Sequence, residues 1–152
     1  MTSKACVLLL LMTASLDSLA APQFEDYPAQ IYQGRLRRVS LSDHEDRKFA
    51  AALRSSIGHH PNFAGRFVLS SWGCGASCVM SAAIDAKTGQ VIWLPFTVSN
   101  WPAEVKEPLE FRRDSRLLIV RGSRNEADSQ ADIAYFIFDG QQFTRALEPD
   151  AK

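Results

Sequence analysis

SSWGCGASCVMSAAIDAKTGQVIWLPF, residues 70–96, joins a Trp-Gly turn, two cysteines, an apolar strand, a Gly turn and a second apolar strand in one run. Met80, Ala82 and Ile84 alternate with Val79, Ser81 and Ala83, which is the two-residue period of a strand. DAKTG at 85–89 reads as a hairpin connection, with Gly89 suited to the left-handed position after a type I turn. Residues 91–96 are apolar on both faces, as a central strand would be. The fold class follows from this antiparallel pair.

Upstream, 62–71 runs into a strand that points Phe67 and Leu69 one way and Val68 and Trp72 the other. Residues 42–57 read as a helix. Ser42 and Glu45 form a capping-box pattern, and Phe49, Leu53 and Ile57 make one apolar stripe. Gly58 and Pro61 stop it. Residues 31–41 read as a strand with a bulge at Gly34; Arg35, Arg37 and Arg38 mark it as a solvated edge. Downstream, 99–108 is a loop holding Trp101, Pro102 and Pro108. Strands at 109–112 and 116–122 flank a tight Asp114-Ser115 turn, and 123–130 is polar loop. A strand at 133–138 returns through a two-residue Asp139-Gly140 hairpin into 141–147.

These readings predict an α+β fold: a mainly antiparallel, twisted sheet of about seven strands built from hairpins, with one N-terminal amphipathic helix. A degenerate blade-like repeat of the strand–Asp–turn–Gly–strand units at 84–90 and 138–141 is the alternative arrangement.

The N-terminus reads as an export signal. Lys4 supplies a basic start, residues 5–14 are an apolar run, and Ser18-Leu19-Ala20 has the small residues of a cleavage site. Cleavage after Ala20 leaves 21–152 as a single globular domain, periplasmic or secreted, with no membrane segment. The 17 Lys and Arg residues balance 17 Asp and Glu, which argues against nucleic acid as a partner. Cys6 departs with the signal. Cys74 and Cys78 remain as an even pair in an oxidising compartment and read as a disulfide.

The chemistry-bearing residues are few. Three residues separate Cys74 from Cys78, where a thioredoxin-type pair has two, and no second pair is present to complete a zinc site. Redox exchange and a stiffened recognition loop stay open beside the structural disulfide. Gly73 and Gly75 supply the backbone freedom that a tight cross-linked turn needs. His44 and the His59-His60 pair lie at opposite ends of the expected helix, roughly 22 Å apart at its rise per residue, too far for one metal. No nucleophile elbow, zinc-protease helix motif, P-loop or dinucleotide fingerprint occurs, so no cofactor, metal or catalytic residue is assigned. Glu104 with Glu107, and Asp128 with Asp132, read as loop charge. Trp72 at the turn and Trp101 in its Pro loop are the candidate recognition aromatics, together with Gly73 and Gly75.

The order N-F-A-G at 62–65, W-G-C-G-x-x-C at 72–78 and I-D-x-x-T-G at 84–89 resembles a motif of small exported proteins of Gram-negative bacteria that carry no assigned activity. The resemblance implies a periplasmic location. The functional expectation is a non-catalytic binding protein that docks on a periplasmic or imported protein, as an inhibitor or immunity-type protein against a cell-envelope hydrolase or toxin. The rivals are a thiol oxidoreductase using Cys74 and Cys78, and a carbohydrate or envelope-binding module using Trp72 and Trp101.

Overall fold

The computed structural model describes residues 20–125 and 132–146. The export signal read over 1–20 lies outside the described residues, Ala20 apart, and so do 126–130 of the polar run and residue 147.

Eight strands form one open, antiparallel sheet accompanied by short helices: β1 (Phe67–Gly75), β2 (Cys78–Asp85), β3 (Val91–Trp93), β4 (Val98–Ser99), β5 (Leu109–Phe111), β6 (Leu117–Arg124), β7 (Asp132–Phe138) and β8 (Phe143–Arg145). The order is β1-β2-β4-β6-β7-β8, with β3 also on β2 and β5 also on β6. β4 is the stitch between two halves. It pairs with Cys78 and Val79 of β2 on one side and with Ser123 and Arg124 of β6 on the other. Beyond that stitch the halves part, β2 continuing onto β3 and β6 onto β5.

The halves curl so that their inner faces share one core. Phe67, Leu69 and Ala83 of the first half meet Val120, Phe136 and Phe138 of the second. The Phe67 and Phe138 rings lie edge to face at 4.8 Å, close to the favoured aromatic geometry. Phe63, fully buried, packs beside the stacked Phe138–Phe143 pair, 5.4 and 6.0 Å from the two rings.

The outer faces are covered by the N-terminal segment. Phe24 and Tyr27 pack on Leu117 and Ile119 of β6. Further along, Leu36, Phe49 and Leu53 pack on Val68, Ala82 and Ile84 of β1 and β2. Residues 31–41 are therefore not the expected strand. They form an extended strap held by isolated backbone contacts: Tyr32 N–H to Gly65, Leu36 N–H to His59 with Gly58 N–H donating back to Leu36, and Ser40 N–H to Gly89. Arg35, Arg37 and Arg38 face solvent because Leu36 faces in. Two glycines permit this close crossing. A Cβ on Gly65 would stand 2.1 Å from the Gln30 carbonyl oxygen, and one on Gly89 2.7 Å from that of Arg38; both residues have positive φ, 78° and 80°.

The single helix expected over 42–57 is instead two short ones, α1 (His44–Lys48) and α2 (Ala50–Arg54). Asp43, not Ser42, is the N-cap, in a reciprocal box with Asp46. Phe49 breaks the helix at φ −102° and ψ 20°, placing its ring 5.8 Å from Trp72 and 5.6 Å from Trp93. Leu53 is buried but Ile57, past the end of α2, is exposed.

β3 ends at Trp93, one residue before Leu94 N–H gives a last bond to the Ser81 carbonyl at 3.0 Å. Trp93 pairs with Ala82, but Val98 pairs with Val79, where an unbroken register would place residue 96; the loop at 94–97 absorbs the difference. β6 runs on to Arg124, past the expected end at 122, and Arg124 pairs with Asp132 of β7. At the last hairpin Phe138 pairs with Phe143, so Asp139 starts the turn instead of lying at its centre. Its carboxylate accepts the Gln141 and Gln142 amides at 2.8 Å each. Asp85 does the same for Lys87 and Thr88 at the β2–β3 turn, so the two similar sequence units are one turn device used in two halves of an open sheet, not propeller blades.

Candidate functional site at the cross-linked hairpin

β1 and β2 pair from Phe67↔Asp85 to Gly75↔Cys78. Their buried start and exposed end make a finger: Phe67, Val68 and Leu69 are core, whereas Gly73 through Ser77 are all exposed. Ala76 and Ser77 form its two-residue tip, with Gly75 at φ 146° and Ser77 at φ 49°. The register slips between Gly73 and Gly75, which leaves Cys74 unpaired in the ladder. Cys74 bonds instead to Cys78 in a disulfide, at a Cα separation of 5.2 Å. Such bonds persist in oxidising compartments outside the cytoplasm. Cys74 is exposed and Cys78 buried.

The finger is braced from below. Phe49, Trp72 and Trp93 make a mutually touching trio, Trp72 and Trp93 at 5.6 Å. Asp46 is buried and fully engaged. Its carboxylate accepts Trp93 Nε1–H at 2.9 Å, Ser42 N–H at 2.8 Å and Asp43 N–H at 3.3 Å. Trp72 Nε1 is buried without a partner among the described residues.

Along its free side β1 is an edge strand. Phe67 and Leu69 turn their backbone groups away from β2. Phe67 exchanges bonds with Phe63, and the Asn62 side chain clamps Leu69, accepting its N–H at 2.7 Å and donating to its C=O at 3.1 Å. The strand's alternation turns Ser71 and Gly73 the same way. Among the described residues nothing bonds their outward N–H and C=O groups. Beside this bare edge lies a groove of about 440 Å³, walled by Leu69, Ser71 and Val79 on one side and Pro108, Leu109 and Phe111 on the other. Glu107 and Glu110 line it, Glu110 with Arg121 at 3.0 Å.

Trp72, Gly73 and Gly75 thus share one corner, but Trp101 does not join them. Trp101 packs against the inner core, while Trp72 belongs to the cluster on the opposite face of β1 and β2. A paired aromatic platform is not formed. Glu104 and Glu107 are exposed; Asp128 lies outside the described residues. The Arg124 guanidinium, bonded to Asp132, holds that carboxyl below its usual range. His44, His59 and His60 are exposed, and no group of three His, Cys, Asp or Glu that could hold a metal occurs among the described residues. No described helix is long and apolar enough to cross a membrane. The bare edge and its groove escape a reading of residue types, because both arise where the sheet halves part. Comparison with family models, with curated proteins and with solved structures finds no match for the chain.

Proposed function

We propose that the chain is a non-catalytic binding protein, periplasmic after cleavage beyond Ala20, that docks on another protein through the β1–β2 finger. The role is that of an inhibitor or immunity-type protein acting on a cell-envelope hydrolase or an imported toxin. The observation that carries this reading is the continuity of an exposed, disulfide-closed tip with a bare strand edge at Ser71 and Gly73. A finger already rigid loses little entropy on docking, and an unpaired edge accepts an extended segment of a partner by strand addition. Glu107 on the groove wall favours a segment that presents a basic side chain there, Glu110 being already paired with Arg121. The resemblance of 62–89 to small exported proteins of Gram-negative bacteria accords with this location.

Gly73→Pro tests it. Proline is tolerated on an edge strand but deletes the outward N–H that a docked strand needs. The wild type is expected to recover a hydrolase or toxin from periplasmic extract and to inhibit it, and the variant to lose roughly tenfold in affinity while unfolding at nearly the same urea concentration. No recovered partner, together with no effect on lysozyme-like or amidase activity, overturns the reading.

The exposure of Cys74 beside a buried Cys78 favours a second reading, thiol–disulfide exchange at Cys74 Sγ. Insulin reduction decides it; absence of turnover removes it.

A further inference from the structure

We propose a second binding site, distinct from the finger, for a small organic carboxylate with a ring-sized body. It is a cleft of about 500 Å³ where the strap, the start of β1, the β2–β3 turn, the start of β6 and the β7–β8 turn converge. Three cationic residues line it, Arg66, Lys87 and Arg116, against one carboxylate, Asp139. The chain as a whole carries equal numbers of cationic and anionic residues, so this excess is local.

Each charge is positioned and left available. Arg66 gives its Nε–H to buried Asp85 at 2.9 Å, which orients the guanidinium from behind and leaves the Nη donors as a free fork. Lys87 Nζ lies 5.2 Å from the Tyr32 ring centroid, a contact that holds an ammonium without neutralising it. No ion pair or hydrogen bond engages the Arg116 side chain among the described residues. Asp139 is the one opposing charge on the lining, and its Oδ1 is turned to the Gln141 and Gln142 amides of its own turn.

The apolar part of the lining is Pro28, Ile31 and Tyr32, beside Gln30 and Gln33. Phe67 and Phe138 lie beneath it, buried, with the Arg66 guanidinium 5.2 Å over the Phe67 ring. A guanidinium fork matches a planar carboxylate bidentately, and a ring-sized body fits against Ile31 and Tyr32. The lining comes from loops and strand ends, with no helix N-terminus of the kind that cradles phosphate.

Titration calorimetry with glucuronate, glucose and inorganic phosphate as probes tests the assignment. Glucuronate is expected to bind, to weaken as ionic strength rises, and to bind roughly tenfold more tightly than glucose or phosphate. The double variant Lys87→Gln/Arg116→Gln is expected to lose roughly tenfold in glucuronate affinity with an unchanged near-UV spectrum; it leaves the Arg66–Asp85 pair in place. Equal binding of glucose and glucuronate, a folded variant that binds as the wild type does, or no binding at millimolar glucuronate overturns the site. Equal binding of phosphate overturns the carboxylate assignment. Should the variant not fold, the glucose, phosphate and salt comparisons on the wild type still decide.

Discussion

Asp46 shows how one side chain joins two parts of the fold. In the sequence it is one of several acids at a helix start. In the structure it is the buried one, and it ties the N-cap backbone to the Trp93 indole. Asp46→Ala removes a charged acceptor and strands buried donors, so a loss of about 2–4 kcal/mol in urea unfolding is expected. An unchanged midpoint would show that the tie contributes nothing. Asp139 makes a milder case. The Gln142 and Gln141 backbone amides hold its carboxyl below the usual range. Its folded pKa is therefore below its unfolded one, about 3.9. The turn's stabilisation is complete above that value and lost as pH falls through the folded pKa. Amide protection at Gln141 and Gln142 should hold at neutral pH and fall only in acid; protection that persists at the lowest pH the fold survives would contradict this. The Asp-Gly spelling marked the turn, but which position Asp139 takes in it depends on the strand register.

At the scale of elements, the strands of the opening stretch were legible because alternation is local. Ala82 and Ile84 do face opposite to Val79 and Ala83, and Gly89 does take positive φ. The helix was legible only in outline. Phe49 has the right spacing for a continuous stripe, yet its contacts with Trp72 and Trp93 outweigh one turn of helical regularity. The motif of the finger also changes meaning. Asn62 clamps an edge, Gly65 and Gly89 pass the strap, and Asp85 closes a turn, so those residues serve joints of the fold. The Cys74–Cys78 bond closes a five-residue loop. Replacing both cysteines with serine should cost about 2 kcal/mol by loop entropy, read as a lower urea midpoint, and should weaken the docking proposed for the tip. Equal affinity for the proposed partner with and without the bond would remove the disulfide from recognition.

At the scale of the whole molecule, the strap is what turns a curled sheet into a two-sided core. Gly65→Ala tests that coupling, since a Cβ there meets the Gln30 carbonyl in a left-handed conformation. A loss of about 2 kcal/mol or more is expected, with proteolysis shifted to residues 30–41; cleavage at the wild-type rate would show that the strap does not depend on this crossing. Three features were legible in the chain alone: the antiparallel class, the β2–β3 hairpin and the cysteine pairing, whereas the helix expected to run to Gly58 ends at Arg54. Each of the three depends on residues close together in the chain, where periodicity, turn chemistry and spacing act directly. Long-range packing set the rest: 31–41 is a strap and not a strand, β4 stitches two halves, and Trp72 and Trp101 fall on opposite faces. It alone placed the bare edge at Ser71 and Gly73 and gathered Arg66, Lys87 and Arg116 around one cleft. Those outcomes depend on which distant segments compete for the same buried face, and that competition leaves no mark in local spacing.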